Sequence, residues 1–535
     1  MSAAIVATSV RSPAGNLSSL MACLDRREPA TSDPPYALTG LPSRPCGIVP
    51  GLDRARPAED LLLAVVTDVL AGRPLEGTGL VVGTASGNVC GPWERTNRAR
   101  VEGRSPDPRD LEDDGRDGPT QRIARQLGLT GPITTVSVVC VSGAAALGVG
   151  LGWLRDGRCE RVVVAGLDAL CEFVHAGFAG LGAVGQGTPR PFHEDRDGLM
   201  LGEGAAALLL ERAPTTTPLA WLRASRASCD AHHMTTPDPS GAGAASAITA
   251  ALTDAGLLAD EVDGVSVHGT ATRANDAMEA AALRRVFGAS PPPWAVKAVI
   301  GHTMGAAGAI EAVVAAEVLH RGQLPALLDP TVLLDVAVRE GPPRVVLAMS
   351  SAFGGTNVAN LLADAPGPAF EADRVVVRTG EVARVVPRGD DAWPDAPVAW
   401  FRANDYVRAG LIALRDLGGS WSSDAALVLA SRTNCVEVDR AHHDRIVAEG
   451  SGRASRRAFV GTLPAAPIAE AALLWGLHGP VLAFVDGFAR AEEEAERLVR
   501  HGRASAAVAL GIELGDPGYE VRAVRFRFKG SGRQH

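Results

Sequence analysis

Short runs of residues that are apolar on both faces recur along this chain and alternate with Ala-rich segments. They include Leu80-Val81-Val82, Val136 to Val139, Val162-Val163-Val164, Ala206 to Leu210 and Val265-Ser266-Val267. A strand with one wet face alternates in character. One that is apolar on both faces needs cover on both, so the pattern predicts a sheet layered between helices, an α/β architecture. A chain of 535 residues exceeds what one core serves. Two breaks divide it. Glu211-Arg-Ala-Pro-Thr-Thr-Thr-Pro218 separates a first half, 1–213, from a second, 218–365, and Ala363-Asp-Ala-Pro-Gly-Pro368 reads as a linker to a tail, 369–535.

Composition narrows the function classes. The chain is 46% hydrophobic and 21% charged, which excludes a disordered polymer. Its net charge of −9 argues against bulk nucleic-acid binding and against an anionic membrane surface. Lys297 and Lys529 are the only lysines and neither follows a glycine, so a GK[ST] phosphate loop is absent. The eight cysteines form no C-x-x-C pair, which speaks against a disulfide framework or a zinc knuckle. The N-terminus, Met-Ser-Ala-Ala-Ile-Val-Ala, lacks the basic residues of a signal peptide. The stretch between Arg125 and Arg155 carries no charge and is long enough for a membrane span. Pro132, several glycines and several Ser/Thr make it a buried strand, a sharp turn and a buried helix instead. A cytoplasmic enzyme is expected.

That turn holds Cys140, within Thr135-Val-Ser-Val-Val-Cys-Val-Ser-Gly-Ala-Ala-Ala-Leu147. An apolar strand ends there and a small-residue helix begins, so the sulfur points out of the sheet, and the helix amides are expected to lower its pKa toward the thiolate. A free cysteine is more often a small buried hydrophobe. His268 ends the apolar run Val265-Ser-Val and is followed by Gly269-Thr-Ala-Thr272; a histidine bonded in a turn is the plain alternative. Asp276 and Glu279 stand three apart on the next helix, hence on one face. Lys297 begins Lys297-Ala-Val-Ile-Gly-His302, and a lysine kept in so Arg-rich a chain suggests a site that needs a compact ammonium. The Gly-rich turn Phe353-Gly-Gly-Thr-Asn357 can aim amides at an oxyanion, or be an ordinary hairpin. Metal is not expected: His193-Glu194 lacks the second histidine of H-E-x-x-H, and His232-His233 and His442-His443 are adjacent pairs.

The tail echoes the beginning. Leu427-Val428-Leu429 followed by Asn434-Cys435 parallels Leu80-Val81-Val82 followed by Asn88-Val89-Cys90. Gly479-Pro480-Val481 parallels Gly131-Pro132-Ile133, and Arg503 to Gly511 parallels Arg158 to Gly166. No cysteine stands where Cys140 would fall; the local run is Phe484-Val-Asp-Gly-Phe488.

In their order, Cys140, Arg190-Pro-Phe, Asp195-Arg-Asp-Gly198, Leu201-Gly-Glu-Gly204, Asp230-Ala-His-His-Met-Thr-Thr-Pro-Asp-Pro239, His268-Gly-Thr-Ala-Thr272, Lys297 with Gly301-His302, and Phe353-Gly-Gly-Thr-Asn357 resemble the β-ketoacyl synthases over roughly residues 3–365. The resemblance implies a thiolase-like five-layer αβαβα domain of two similar halves. The tail would add a smaller α/β domain, a degenerate first half without a nucleophile. The implied activity is decarboxylative condensation of an acyl thioester with a malonyl unit to a 3-oxoacyl product, in fatty acid or polyketide-type biosynthesis. Cys140 would take the acyl group, while His268 and His302 would donate to the malonyl thioester oxygen. Lys297 and Glu279 would pair in support, with Asp276 nearby. The amides of Cys140 and Phe353 would make the oxyanion hole, Phe353 would gate the acyl pocket, and Thr270 and Thr272 would touch the pantetheine arm. No tightly bound cofactor is implied beyond the phosphopantetheine carried by an acyl carrier protein partner, and the enzyme would pair as a homodimer or with a related subunit. A thiolase or an initiating enzyme has no counterpart of His302; a chain-length partner subunit lacks the nucleophile that Cys140 supplies. Two departures concern the gate and its neighbour. Ala352 and Arg273 stand where the family has glycine and proline, and alanine lacks glycine's backbone freedom.

Overall fold

The computed structural model describes residues 2–107, 118–328, 333–369, 374–389, 393, 397 and 403–529. In the first half, β1 (Ala3–Arg11), β2 (Gly79–Gly83), β3 (Ile133–Val136), β4 (Arg161–Asp168) and β5 (Gly204–Glu211) run in the order β3-β2-β4-β5-β1. Their apolar character matches their surroundings, since every residue of β2 and β5 is buried. Among the described residues, six helices accompany them: α1 (Leu17–Arg26), α2 (Pro57–Leu70), α3 (Glu94–Val101), α4 (Gly118–Leu127), α5 (Ser142–Arg155) and α6 (Glu172–Gly180).

The second half contains β6 (Ala220–Cys229), α7 (Ala242–Ala255), β7 (Gly264–Ser266), α8 (Arg273–Phe287), β8 (Pro293–Trp294), α9 (Lys297–Ile300), α10 (Ala307–Arg321), β9 (Val345–Ser351) and β10 (Thr356–Ala363). Its order, β8-β7-β9-β10-β6, repeats the first half strand for strand, and antiparallel pairing of β1 with β6 joins the two. α5 packs on β2 and β4 of its own half and on β6 and β10 of the other; α10 packs on β9 and, across, on β4 and β5. These two helices form the middle layer, while α2 covers β1, β4 and β5 and α7 covers β6 and β10 from outside. The result is the expected five-layer stack. The middle helices are rich in Gly and Ala because they meet backbone to backbone. A Cβ at Gly143 would lie 2.6 Å from the Gly305 carbonyl oxygen, and one at Gly308 2.6 Å from Ala144 Cβ.

The tail comprises β11 (Val376–Pro387), α11 (Asp405–Leu417), β12 (Ala426–Ala430), α12 (Val436–Glu449), α13 (Arg456–Gly461), α14 (Ala466–Trp475), β13 (Val481–Phe484), α15 (Phe488–Arg500), β14 (Ala506–Leu514) and β15 (Gly518–Phe528). Its order, β13-β12-β14-β15-β11, again matches the first half. Local bonds recur as well. Leu80 N–H donates to Pro132 O at 2.9 Å, and Leu427 N–H to Pro480 O at 2.9 Å. Strand β13 lies antiparallel to β3, with Phe484 opposite Val136. Ser137 N–H donates to Ala483 O at 2.8 Å and Val485 N–H to Thr135 O at 3.0 Å. The strand series is therefore palindromic about this junction. The tail does not stand apart behind its linker, because its core residues belong to the same buried cluster as those of the first half. No helix among the described residues is long and apolar enough to cross a membrane.

Candidate active site

Strand β3 delivers the chain to a strained elbow. Val139 has φ +53°, in the left-handed region that a β-branched residue rarely enters. Ser142 Oγ fixes it, accepting from Val138 N–H at 2.9 Å and donating to Val139 O at 2.6 Å. Cys140 follows and opens onto a cavity of about 400 Å³. Its electrostatics correct the expectation of a thiolate. Burial pushes the thiol from its ordinary value near 9 up to about 12, against a smaller downward pull from Lys297. That rise corresponds to about 4 kcal/mol, whereas a helix N-terminus contributes about 0.3–1 kcal/mol and about 2 in favourable buried geometry. Desolvation wins, and Cys140 rests as a thiol.

The same cavity is lined by His268 and His302, from the other half of the fold. His268 lies just past β7. Glu279, on α8, grips this turn by accepting from His268 N–H at 2.6 Å and Gly269 N–H at 2.9 Å. His302 follows α9, and its backbone pairs with the Leu201-Gly202 segment: His302 N–H donates to Met200 O at 2.7 Å and Gly202 N–H to His302 O at 3.0 Å. The two imidazole centroids are 5.5 Å apart and their planes nearly perpendicular. Burial first, and Lys297 second, hold both rings well below the usual histidine range, so both are neutral. Each Nδ1 is buried without a hydrogen-bond partner among the described residues.

The pairing expected for Lys297 is corrected. Its ammonium binds Glu311 on α10, not Glu279. Glu311 also accepts from Ser350 Oγ at 3.3 Å. Glu279 holds backbone instead, and burial raises its carboxyl to about 8. Asp276 accepts from Phe192 N–H at 2.8 Å with Arg196 Nε 3.7 Å away, which ties the Arg190-Pro-Phe and Asp195-Arg-Asp-Gly segments to α8. Burial raises Asp276 to about 6.

Thr270, Thr272 and Phe353 line the cavity too, and the two threonine hydroxyls bond each other at 2.9 Å. In the turn between β9 and β10, Gly354 (φ +82°) and Gly355 (φ +80°) take the left-handed conformations. Ala352 is extended at φ −142°, so alanine is unstrained there. Asn357 anchors the turn, donating to Asp230 at 2.8 Å and accepting from Ser351 Oγ at 2.7 Å. Around these turns the amides of Val141, Ala352 and Gly354 donate to backbone carbonyls.

Two supporting carboxylates escaped the sequence reading. Asp168, at the end of β4, accepts from Thr84 Oγ1, Ala85 N–H, Ser86 N–H and Gly305 N–H, and so binds the two halves beneath the site. Nothing in its local sequence marks it. Glu311 had a signal: a lone carboxylate inside the apolar run Ala307 to Ala316 needs a buried cation, and Lys297 was at hand. The described residues hold no cluster of three or more His, Cys, Asp or Glu arranged for a metal.

The family model described as beta-ketoacyl synthase, N-terminal domain, matches residues 53–216, and that for the C-terminal domain matches residues 219–330. The chain is 35% identical over 266 residues to the tetracenomycin polyketide synthase ketoacyl synthase alpha subunit of Streptomyces glaucescens, covering 45% of this chain and 62% of that protein. It is 33% identical over 303 residues to nodulation protein E of Rhizobium meliloti, covering 53% of this chain and 75% of that one. Among solved structures, PfaC keto synthase–chain length factor superposes with a TM-score of 0.79 at 16% identity, over 99% of this chain and 79% of that one, a likeness of fold that includes the tail.

Proposed function

The chain belongs to the β-ketoacyl synthases, and from that premise we propose that it condenses an acyl group held on Cys140 with a malonyl unit, giving a 3-oxoacyl thioester. The observation that carries the reading is one cavity lined by a buried thiol and two neutral imidazoles. Both substrates arrive as thioesters on the phosphopantetheine arm of an acyl carrier protein, with Thr270 and Thr272 along the arm.

In the first step Cys140 Sγ attacks the acyl carbonyl and the carrier sulfur departs. The thiol proton ends on that sulfur, so no net charge is left in the buried site. The oxyanion of the tetrahedral intermediate lies against the amides of Cys140 and Phe353; removing one such donor lowers rates by about 10²–10³ in comparable sites. In the second step the malonyl carboxylate leaves as CO₂ and its electron pair moves onto the thioester as an enolate. A neutral imidazole N–H donates to that oxygen without delivering a proton, and rings held far below their usual pKa suit this task. In the third step the enolate carbon attacks acyl-Cys140, the new carbon–carbon bond forms, and the cysteine sulfur leaves as a thiolate that takes up one proton from solvent. Glu279 and the Lys297–Glu311 pair position the imidazoles rather than touch substrate.

The likeness in fold to a protein named as a keto synthase joined to a chain length factor, together with the palindromic strand order, supports a reading of residues 369–535. They form a nucleophile-free copy of the first half that stands where a partner subunit's first half would. The test of the activity is intact-protein mass spectrometry after exposure to acyl carrier thioesters of several lengths. One acyl mass on Cys140, absent from Cys140→Ala, is expected; an acyl mass on another cysteine, or none, overturns the assignment.

A further inference from the structure

Where the tail meets the body, a small cavity of about 30 Å³ lies between α5, β6 and α15. It shares no lining residue with the active-site cavity. Its walls are largely apolar, yet three guanidiniums and one carboxylate line it: Arg226 of β6, Arg497 and Glu494 of α15, and Arg503 just past α15. We infer that this cavity binds a monatomic anion, chloride under ordinary conditions, and that the anion clasps the tail to the body.

The balance of charge comes first. Glu494 matches Arg497, accepting from its Nε at 2.7 Å. Asp254, on α7, is shared by Arg155 at 3.2 Å and Arg503 at 3.5 Å. Among the described residues, the carboxylate that acts on Arg226 is again Asp254. One carboxylate thus serves three guanidiniums. Burial, with Arg497, Arg226 and Arg155 beside it, pushes Arg503 well down from the ordinary arginine value. A guanidinium nevertheless keeps its proton in proteins, and buried charge needs a partner, so the deficit calls for an added negative charge.

The donors to receive it are in place. Arg497 Nη1 and Arg503 Nε and Nη2 are buried without a hydrogen-bond acceptor among the described residues, a costly state for a charged donor. Both side chains are almost fully buried and held from their other ends. Arg503 Nη1 donates to Ser225 O at 2.9 Å, and Arg497 lies flat against α5, where a Cβ at Gly152 would stand 2.6 Å from its Cζ. The space has room for about two waters, which admits a halide and not a phosphate ester or an organic acid. Arg226 also lines the open groove between α7 and the tail, so it stands between the cavity and solvent and offers a way in.

The experiment unfolds the full-length protein in urea, a neutral denaturant, at constant ionic strength while sodium gluconate is exchanged for sodium chloride. An anion bound only by the folded chain lowers the unfolding constant as its concentration passes its Kd. Between about 1 and 100 mM chloride that constant should fall about ten-fold or more, which corresponds to a Kd of about 10 mM or tighter. Arg226→Gln and Arg503→Gln should each cut the response below about two-fold; Arg226 stands on the rim, which keeps the claim testable if Arg503→Gln fails to fold. Crystals soaked in bromide should show an anomalous peak bounded by Arg226, Arg497 and Arg503. A parent protein indifferent to chloride, or a cavity without bromide, means that water alone fills it and overturns the inference. A chloride response that the folded variants keep in full puts the anion elsewhere and overturns it equally.

Discussion

A thiol raised to about 12 and two imidazoles held neutral define what the site does before substrate arrives. The sign follows from the direction of the shift. Because the folded thiol holds its proton across the neutral range, alkylation of Cys140 by iodoacetamide, followed on its own peptide by mass spectrometry, should keep rising with pH beyond 9. A plateau below pH 8 would mean that the helix terminus outweighs burial. The Lys297–Glu311 pair yields a second outcome. Both partners are almost fully buried, so Glu311→Gln leaves an uncompensated ammonium and should destabilise the protein by about 3–5 kcal/mol in chemical denaturation, whereas the double change to Met and Leu should recover most of that. An unchanged single variant would contradict the pairing. At this scale the sequence singled out Cys140, His268 and His302 by their places at strand ends and helix starts, and the fold sets all three around one cavity. It did not disclose which carboxylate meets Lys297, because Glu279 and Glu311 both lie within reach along the chain and only the crossing of α9 with α10 selects one.

Between elements, the tail's α12 and α13 pack on α3 and α6 through aromatic edges. His442 lies 5.0 Å from Phe173 and 5.7 Å from Phe459, and His443 lies 5.4 Å from Trp93, all between ring centroids. Burial lowers both histidines to about 4. The unfolded chain binds protons near pH 6.5, so each imidazole's neutral form stabilises the fold above that value, and this contribution is lost as pH falls from about 6.5 toward 4. His442→Phe removes one such term. Its stability relative to the parent should improve by about 3 kcal/mol between pH 7 and pH 4; a difference independent of pH would sink the assignment. The sequence marked these two residues only as an adjacent pair unsuited to a metal. Two of their aromatic partners, Phe173 and Trp93, come from segments more than 250 residues away, which no local pattern could foretell.

For the molecule as a whole, one strand order is used three times. The repeat of β12 on β2 and of β14 on β4 was visible as weak echoes in sequence; the docking of β13 along β3 was not, because edge pairing leaves no periodicity of its own. One difference sets the tail apart from the first half. Helix α5 is buried from Ser142 to Leu154 because sheets cover both its sides, while its counterpart α15 has one buried face and turns Glu492, Glu493 and Glu496 away from it. Beneath the junction, Asp254 is shared by Arg155 at 3.2 Å and Arg503 of the tail at 3.5 Å. Asp254→Ala withdraws that shared carboxylate from two buried guanidiniums and should cost about 3–5 kcal/mol, read as earlier unfolding in denaturant and faster proteolysis of the tail; a loss below about 1 kcal/mol would mean the junction does not depend on it. In the proposed function, Cys140 from one half and His302 from the other perform different halves of one reaction in a single cavity. The most direct measurement gives His302→Ala an acyl carrier and then a malonyl carrier labelled in its carboxyl group. The acyl adduct should form on Cys140 as in the parent, while labelled CO₂ should appear about 10²–10³ times more slowly; CO₂ release at the parental rate, or loss of the adduct from a folded variant, would contradict it.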